Sequence, residues 1–263
     1  MTAMTRRLVA ALTMVTVALG VTIGTTTSTA GAGLANREAR ATGEITVFAA
    51  SSLTEAFTEL GRVFEARNPG ASITFGFNAS SSLAAQIEAG APADVLAAAD
   101  VSDVAKVADT VVGDPTIFAR NRLEIAVEPG NPLQLRNLAD TTNPDVTLVL
   151  CAPAVPCGVL ARRAYRKASV ELPEVATAEN VKAALTTVVL GEADAAIVYT
   201  TDVRSAHGTV DGVEIPKRHN PVAHYPIAVL RNGENHALAR EFIRFVVSER
   251  GQGLLARFGF LAA

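Results

Sequence analysis

From residue 45 onward the apolar positions switch repeatedly between a period of two and a helical period. Ile45 to Ala50 reads as a buried strand, and Leu53, Phe57, Leu60 and Phe64 then recur at four-three-four spacing, one face of a helix. "NPG" at Asn68–Gly70 stops that helix, and "SITFGF" supplies a second strand. Ser80 to Ser82 open a helix carrying Leu83 and Ile87 and closing at Gly90, ahead of a third strand at Val95–Ala99. The stretch from there to Arg122 shows no clear period. Arg122–Val127 and Val146–Leu150 read as further strands, the second followed by a helix holding Ala161, Arg162, Arg163 and Arg166, whose arginines form a solvated face. Val181, Leu185 and Val188 mark another helix, stopped by Gly191. "AAIVY" ends a strand on Tyr199, Tyr225–Leu230 forms the next, and Leu238 to Phe258 is mostly helical, with Phe242, Phe245 and Val246 inward.

This alternation predicts an α/β fold with largely parallel strands. Two strand–helix series occur, one before residue 122 and one from about 146 to 200. The expectation is two lobes, 44–122 plus 228–263 and 123–227, linked by two crossing strands. A ligand then belongs in the cleft at the carboxyl ends of the strands.

The first forty residues break the pattern. Arg6 and Arg7 precede an apolar run from Leu8 to Ile23, then a tract of small residues, the order of a secretory signal. Ala30-Gly31-Ala32 and Ala39-Arg40-Ala41 both fit the cleavage pattern, so residues 1–41 read as signal peptide and linker, cut after 32 or after 41. The run is short for a bilayer span and broken by Thr and Gly, which weighs against an uncleaved anchor. No cysteine lies there to take a lipid. The expected product is exported and not membrane-spanning.

Composition narrows the function. With 23 basic and 26 acidic side chains in 263 residues, the net charge of −3 recruits no nucleic acid, and the absence of Trp removes a base-stacking platform. His207, His219, His224 and His236 show no paired ligand spacing, so no metal-ion site is expected. The two cysteines, Cys151 and Cys157, lie in "CAPAVPCG"; in an oxidising compartment they are expected to bridge, with two free thiols as the alternative.

The strand-to-helix turns carry the chemistry. Ser52-Leu53-Thr54-Glu55 matches a capping box, which by itself accounts for the hydroxyl at Ser52. A second turn, "NASSSLAAQ", places Ser80, Ser81 and Ser82 together, more than one cap requires. Tyr199 ends a third strand and "PCG" opens a third helix. Helix N-termini present free N–H groups and partial positive charge, so several converging with hydroxyls make an anion site. A serine can accept from its own helix and still donate to a ligand. Lys182, beside Val181, reads as a solvent-facing residue of an amphipathic helix.

The motifs "ITVFAASSLTEAF", "ASSSLAAQIEAGAPADV", "VPCG", "AENVKAAL", "AAIVYTTD", "YPIAV" and "RFGF", in this order from Glu44 to Phe260, resemble the molybdate-binding proteins of ABC importers. The resemblance implies the two-lobed fold of type II periplasmic binding proteins, with mixed β-sheets flanked by helices and two crossover strands. It implies binding of molybdate or tungstate, without a cofactor or catalysis, by a monomer that delivers the anion to an ABC permease and its ATPase. By matching position, it assigns ligand contacts to the hydroxyls of Ser52 and Ser80, the amides of Cys157 and Val181, and the hydroxyl of Tyr199, with Ser51 and Ser81 as additional candidates. A cysteine at 157 departs from the small residue usual there, a change that a backbone donor tolerates. Sulfate or another tetrahedral oxyanion is the alternative ligand. A serine hydrolase is the remote one, since no G-x-S-x-G elbow occurs and His224 has no motif linking it to Ser52.

Overall fold

The computed structural model describes residues 42–263; the expected leader and both cleavage sites lie outside the described residues. β1 (Gly43–Ala50) passes through a 3-10 turn (Ser51–Leu53) into α1 (Thr54–Arg67), followed by β2 (Ala71–Asn78), α2 (Ser80–Glu88), β3 (Val95–Ala97), α3 (Val101–Lys106) and a long β4 (Val111–Asn121). After Arg122 the chain enters a second sheet with β5 (Leu123–Val127), β6 (Leu148–Cys151), α4 (Pro156–Ala168), β7 (Ala176–Ala178), α5 (Val181–Val189), β8 (Ala195–Tyr199), α6 (Thr200–Ser205) and β9 (Asp211–Glu214). It then returns to the first sheet through β10 (Ala223–Leu230) and finishes with α7 (His236–Val247) and α8 (Glu249–Arg257).

Each sheet has five strands, in the orders β2-β1-β3-β10-β4 and β7-β6-β8-β5-β9. β1 runs parallel to β2 and β3, and β6 parallel to β7 and β8, as apolar strand–helix alternation requires. The sheets are mixed, not largely parallel. β10 is antiparallel to β3 and β4, and β5 is antiparallel to β8 and β9. The strands that arrive from the other half of the molecule run against those laid down by local βα units.

β4 had no readable period because it is an edge strand with Gly113, Asp114, Pro115 and Thr116 exposed, and Pro is tolerated at an edge. β10 pairs with Asn121 of β4 already at Ala223, so the expected boundary at 227/228 falls inside a strand. The outward crossing runs from β4 into β5 with Arg122 alone between them; the return crosses through residues 215–222 before β10 begins. Two buried asparagines fasten these crossings. Asn220 exchanges both bonds with Leu123, at 3.0 and 2.6 Å, and Asn121 Nδ2 donates to Thr201 Oγ1 at 2.8 Å. The mostly helical final stretch forms two helices that meet at Ser248, whose hydroxyl accepts from Gly251 N and caps α8.

The predicted helix face of Leu53, Phe57, Leu60 and Phe64 is fully buried, and Phe57 and Phe64 both pack edge-on against Phe242 of α7. This packing joins the C-terminal helices to the N-terminal βα units. Cys151 and Cys157 are bridged.

Candidate functional site

The turns that follow β1, β6 and β8, with the starts of α2 and α5, meet around one small cavity of about 10 Å³. Ser51, Ser52 and Ser80 line it from the first sheet's half, and Cys157, Val181 and Tyr199 from the second. The remaining wall is alanine, valine and proline, so no lining residue carries a charged side chain. Ser81 is not among the lining residues.

Each wall residue stands at the beginning of a helix or the end of a strand. In α2 the first intrahelical bond is Leu83 N to Ala79 O, so the amides of Ser80 to Ser82 lie ahead of it. In α4 the first is Val159 N to Val155 O, which leaves the Cys157 amide ahead; Pro156 occupies the first helical position, where no N–H is needed. In α5, Asn180 caps the helix by accepting from Ala183 N at 3.0 Å, and Val181 precedes that bond. The bridge to Cys151 ties the α4 start to the end of β6. Gly158 lets it pack there, because a Cβ would run into the carbonyls of Cys151 and Ala152.

Hydrogen-bond direction decides what the hydroxyls can do. Ser80 Oγ accepts from Ala99 N at 2.9 Å, so its own proton is free for another acceptor. Ser52 Oγ lies 2.9 Å from Tyr225 Oη, 173 residues away. Asn121 Nδ2 points at Tyr225 Oη at 3.5 Å, while Asn121 Oδ1 accepts from Arg122 N at 2.9 Å and fixes the amide's orientation. Either hydroxyl can be the donor of the Ser52–Tyr225 bond; when Tyr225 donates, the Ser52 proton is free for another acceptor. Tyr199 Oη is buried with no hydrogen-bond partner among the described residues. Burial, reinforced by Tyr225 and Asp202, pushes its ionisation well above the usual tyrosine range, so it is a neutral donor.

Three expectations are corrected. The capping box is absent: α1 starts at Thr54, whose hydroxyl donates to Ser51 O at 2.7 Å, and Glu55 turns away from Ser52. Lys182 does not face solvent. Its Nζ reaches both Glu55 oxygens, Asp202 Oδ1 and Ser205 Oγ. Burial works against its charge, but Asp202 and Glu55 outweigh that and raise its pKa. Arg162 is likewise not part of a solvated face, since its guanidinium donates to Cys151 O and Gly158 O at 3.1 and 3.2 Å.

Sequence reasoning missed Tyr225, Asn121, Asn180 and Asp202. Asn180 was legible as a cap residue one position before a helix. The other three act through partners distant in sequence or through a strand's end, which no local spacing reveals. His224 is exposed on β10 and Ser52 meets a tyrosine, so the pairing a serine nucleophile needs is not assembled. Among the described residues no group of three or more His, Cys, Asp or Glu could hold a metal ion.

The family model for bacterial extracellular solute-binding proteins matches residues 45–261. The chain belongs to that family. Within it, the chain is similar to the molybdate-binding protein ModA of Mycobacterium tuberculosis, 41% identical over 218 residues that cover 82% of this chain and 84% of the relative. In fold, this solute-binding protein matches the periplasmic molybdate-binding protein of Azotobacter vinelandii with a TM-score of 0.75, at 17% identity, over 83% of this chain and 99% of the other. It also matches the sulfate-binding protein SubI of Mycobacterium tuberculosis with a TM-score of 0.74, at 20% identity, over 84% and 87%. Members of this family are binding proteins and not enzymes. No helix among the described residues is long and apolar enough to cross a membrane.

Proposed function

We propose that this solute-binding protein captures molybdate, with tungstate as an equivalent ligand, and delivers it to the permease and ATPase of an ABC importer. The anion sits in the small cavity. It is held by the hydroxyls of Ser52, Ser80 and Tyr199 and the amides of Cys157 and Val181, with the Ser51 amide alongside. The protein acts as an extracytoplasmic monomer once its leader is removed.

The observation that carries this reading is the unpartnered, buried hydroxyl of Tyr199 in a cavity lined by uncharged groups. A buried donor without an acceptor costs about 1–3 kcal/mol, and a ligand oxygen relieves that cost. The donors come from both halves, so the anion favours the arrangement that brings the halves together. Water is excluded and each hydrogen bond to the dianion strengthens. Phosphate keeps a proton near neutral pH and needs a carboxylate acceptor, which the lining does not offer. Sulfate lacks that proton too, and discrimination from it rests on how the closed cavity fits the longer metal–oxygen bonds of molybdate. The matching to molybdate-binding relatives at 41% identity supports the larger oxyanion.

Calorimetric titration with molybdate, tungstate, sulfate and phosphate tests this. Molybdate and tungstate are expected to bind at one site per chain, and saturation at one hundred times the dissociation constant adds about 2.7 kcal/mol of stability. Binding of sulfate in preference to molybdate, or of none of the four, contradicts it.

A further inference from the structure

The cleft holds one charged cluster that the oxyanion site does not use. Lys182 Nζ lies 3.1 Å from Asp202 Oδ1 and 3.0 Å from Ser205 Oγ, both on α6 in its own half of the molecule. From there it spans to the opposite half, 2.9 and 2.8 Å from the two carboxylate oxygens of Glu55 on α1. The Asp202 side chain is 0% exposed, Lys182 23% and Glu55 37%, so the cluster runs from the interior to the rim of the cleft. Each member is attached to a turn that supplies a cavity donor. Glu55 follows Ser52 by one helical turn and Lys182 follows Val181 directly. Asp202 Oδ2 accepts from the backbone N–H of Tyr199 at 3.1 Å.

We propose that Lys182 and Glu55 form a latch that closes over the captured anion and sets its rate of release. The proposal rests on the oxyanion reading of the cavity. Asp202 and Ser205 hold the Lys182 ammonium in its own half whether the halves are together or apart. Opening therefore strands no buried cation and only returns Glu55 to water. The bidentate contact to Glu55 exists only when the halves meet, so its free energy counts toward the closed state alone. Because both partners keep some exposure, the contribution stays moderate, and the latch slows release without preventing it. The same geometry explains why a lysine beside a donor amide leaves the anion to neutral groups: its charge is committed to carboxylates.

The test is stopped-flow release of molybdate from the full-length processed protein and from Glu55→Gln. The variant is expected to release about tenfold faster, with association nearly unchanged, as interface charge pairs act mainly on dissociation. Thermal unfolding of the anion-free variant should match wild type. In a Lys182→Met, Asp202→Asn background, which removes the cation without stranding a buried carboxylate, Glu55→Gln should cause no further acceleration. Unchanged release, an equal loss of stability in the anion-free protein, or the same acceleration in that background overturns the latch. If the wild type captures no oxyanion, the reading of the cavity fails separately. Electron–electron distances between spin labels at exposed Glu88 and Arg163 then judge the latch alone: Glu55→Gln must enlarge the longer-distance population, and an identical distribution overturns it.

Discussion

At the scale of single residues, three hydroxyls differ in what the protein itself asks of them. Ser80 accepts from Ala99 N, Ser52 is held by Tyr225, and Tyr199 Oη has no partner among the described residues. Removing the Tyr199 oxygen therefore breaks no well-formed hydrogen bond among the described residues. Tyr199→Phe is expected to leave the melting temperature of the anion-free protein unchanged or slightly raised, while weakening molybdate binding by about 1–3 kcal/mol. Paired thermal melts and titrations check this; a variant that loses stability yet keeps its affinity contradicts the placement of the ligand. Ser52, Ser80 and Tyr199 were legible as candidates because each stands where a strand gives way to a helix. The hydrogen-bond partners of the two serines were not. Tyr225 reads as one more aromatic of a core strand until the fold lays it against Ser52, 173 residues earlier.

At the scale of elements, legibility followed burial. β1, α1, α2, α5 and β8 were read from apolar periodicity because each buries residues in a core that the sequence must fill, and β2 because its alternate apolar residues pack, partly buried, against that core. β4 escaped because its outer part lies exposed at a sheet edge, and β7 and β9 escaped because both are short, largely exposed edge strands with no apolar run. The capping box at Ser52 failed for another reason. A 3-10 turn inserted before α1 moves the helix start to Thr54, which frees Glu55 for Lys182. Such a pairing belongs to the meeting of two halves and has no local signature. The disulfide was readable from spacing and compartment, and it fixes the α4 start, where Cys157 lines the cavity.

At the scale of the whole molecule, all three tyrosines are buried, one in α4 and two beside the cleft. Burial raises each phenol's pKa, that of Tyr165 to about 12 despite the hydrogen bond to Thr141, with Tyr225 and Tyr199 raised as well. Folded pKa values above the unfolded value near 10 mean that this stabilisation is complete below pH 10 and is lost as pH rises through the folded values. Each tyrosine then contributes a slope of about 1.4 kcal/mol per pH unit toward unfolding. Tyrosinate absorbance is expected to stay silent near pH 10 and to appear in a single step with loss of secondary structure. Reversible ionisation near pH 10 in the folded protein contradicts that packing.

The central claim is that an oxyanion is held between the two halves by uncharged donors alone. Crystals grown with tungstate, measured at the tungsten absorption edge, test it most directly. The account predicts one strong anomalous peak within hydrogen-bonding reach, through its oxygens, of Ser52, Ser80, Cys157, Val181 and Tyr199. A peak elsewhere, or one contacted by an arginine or lysine side chain, contradicts it.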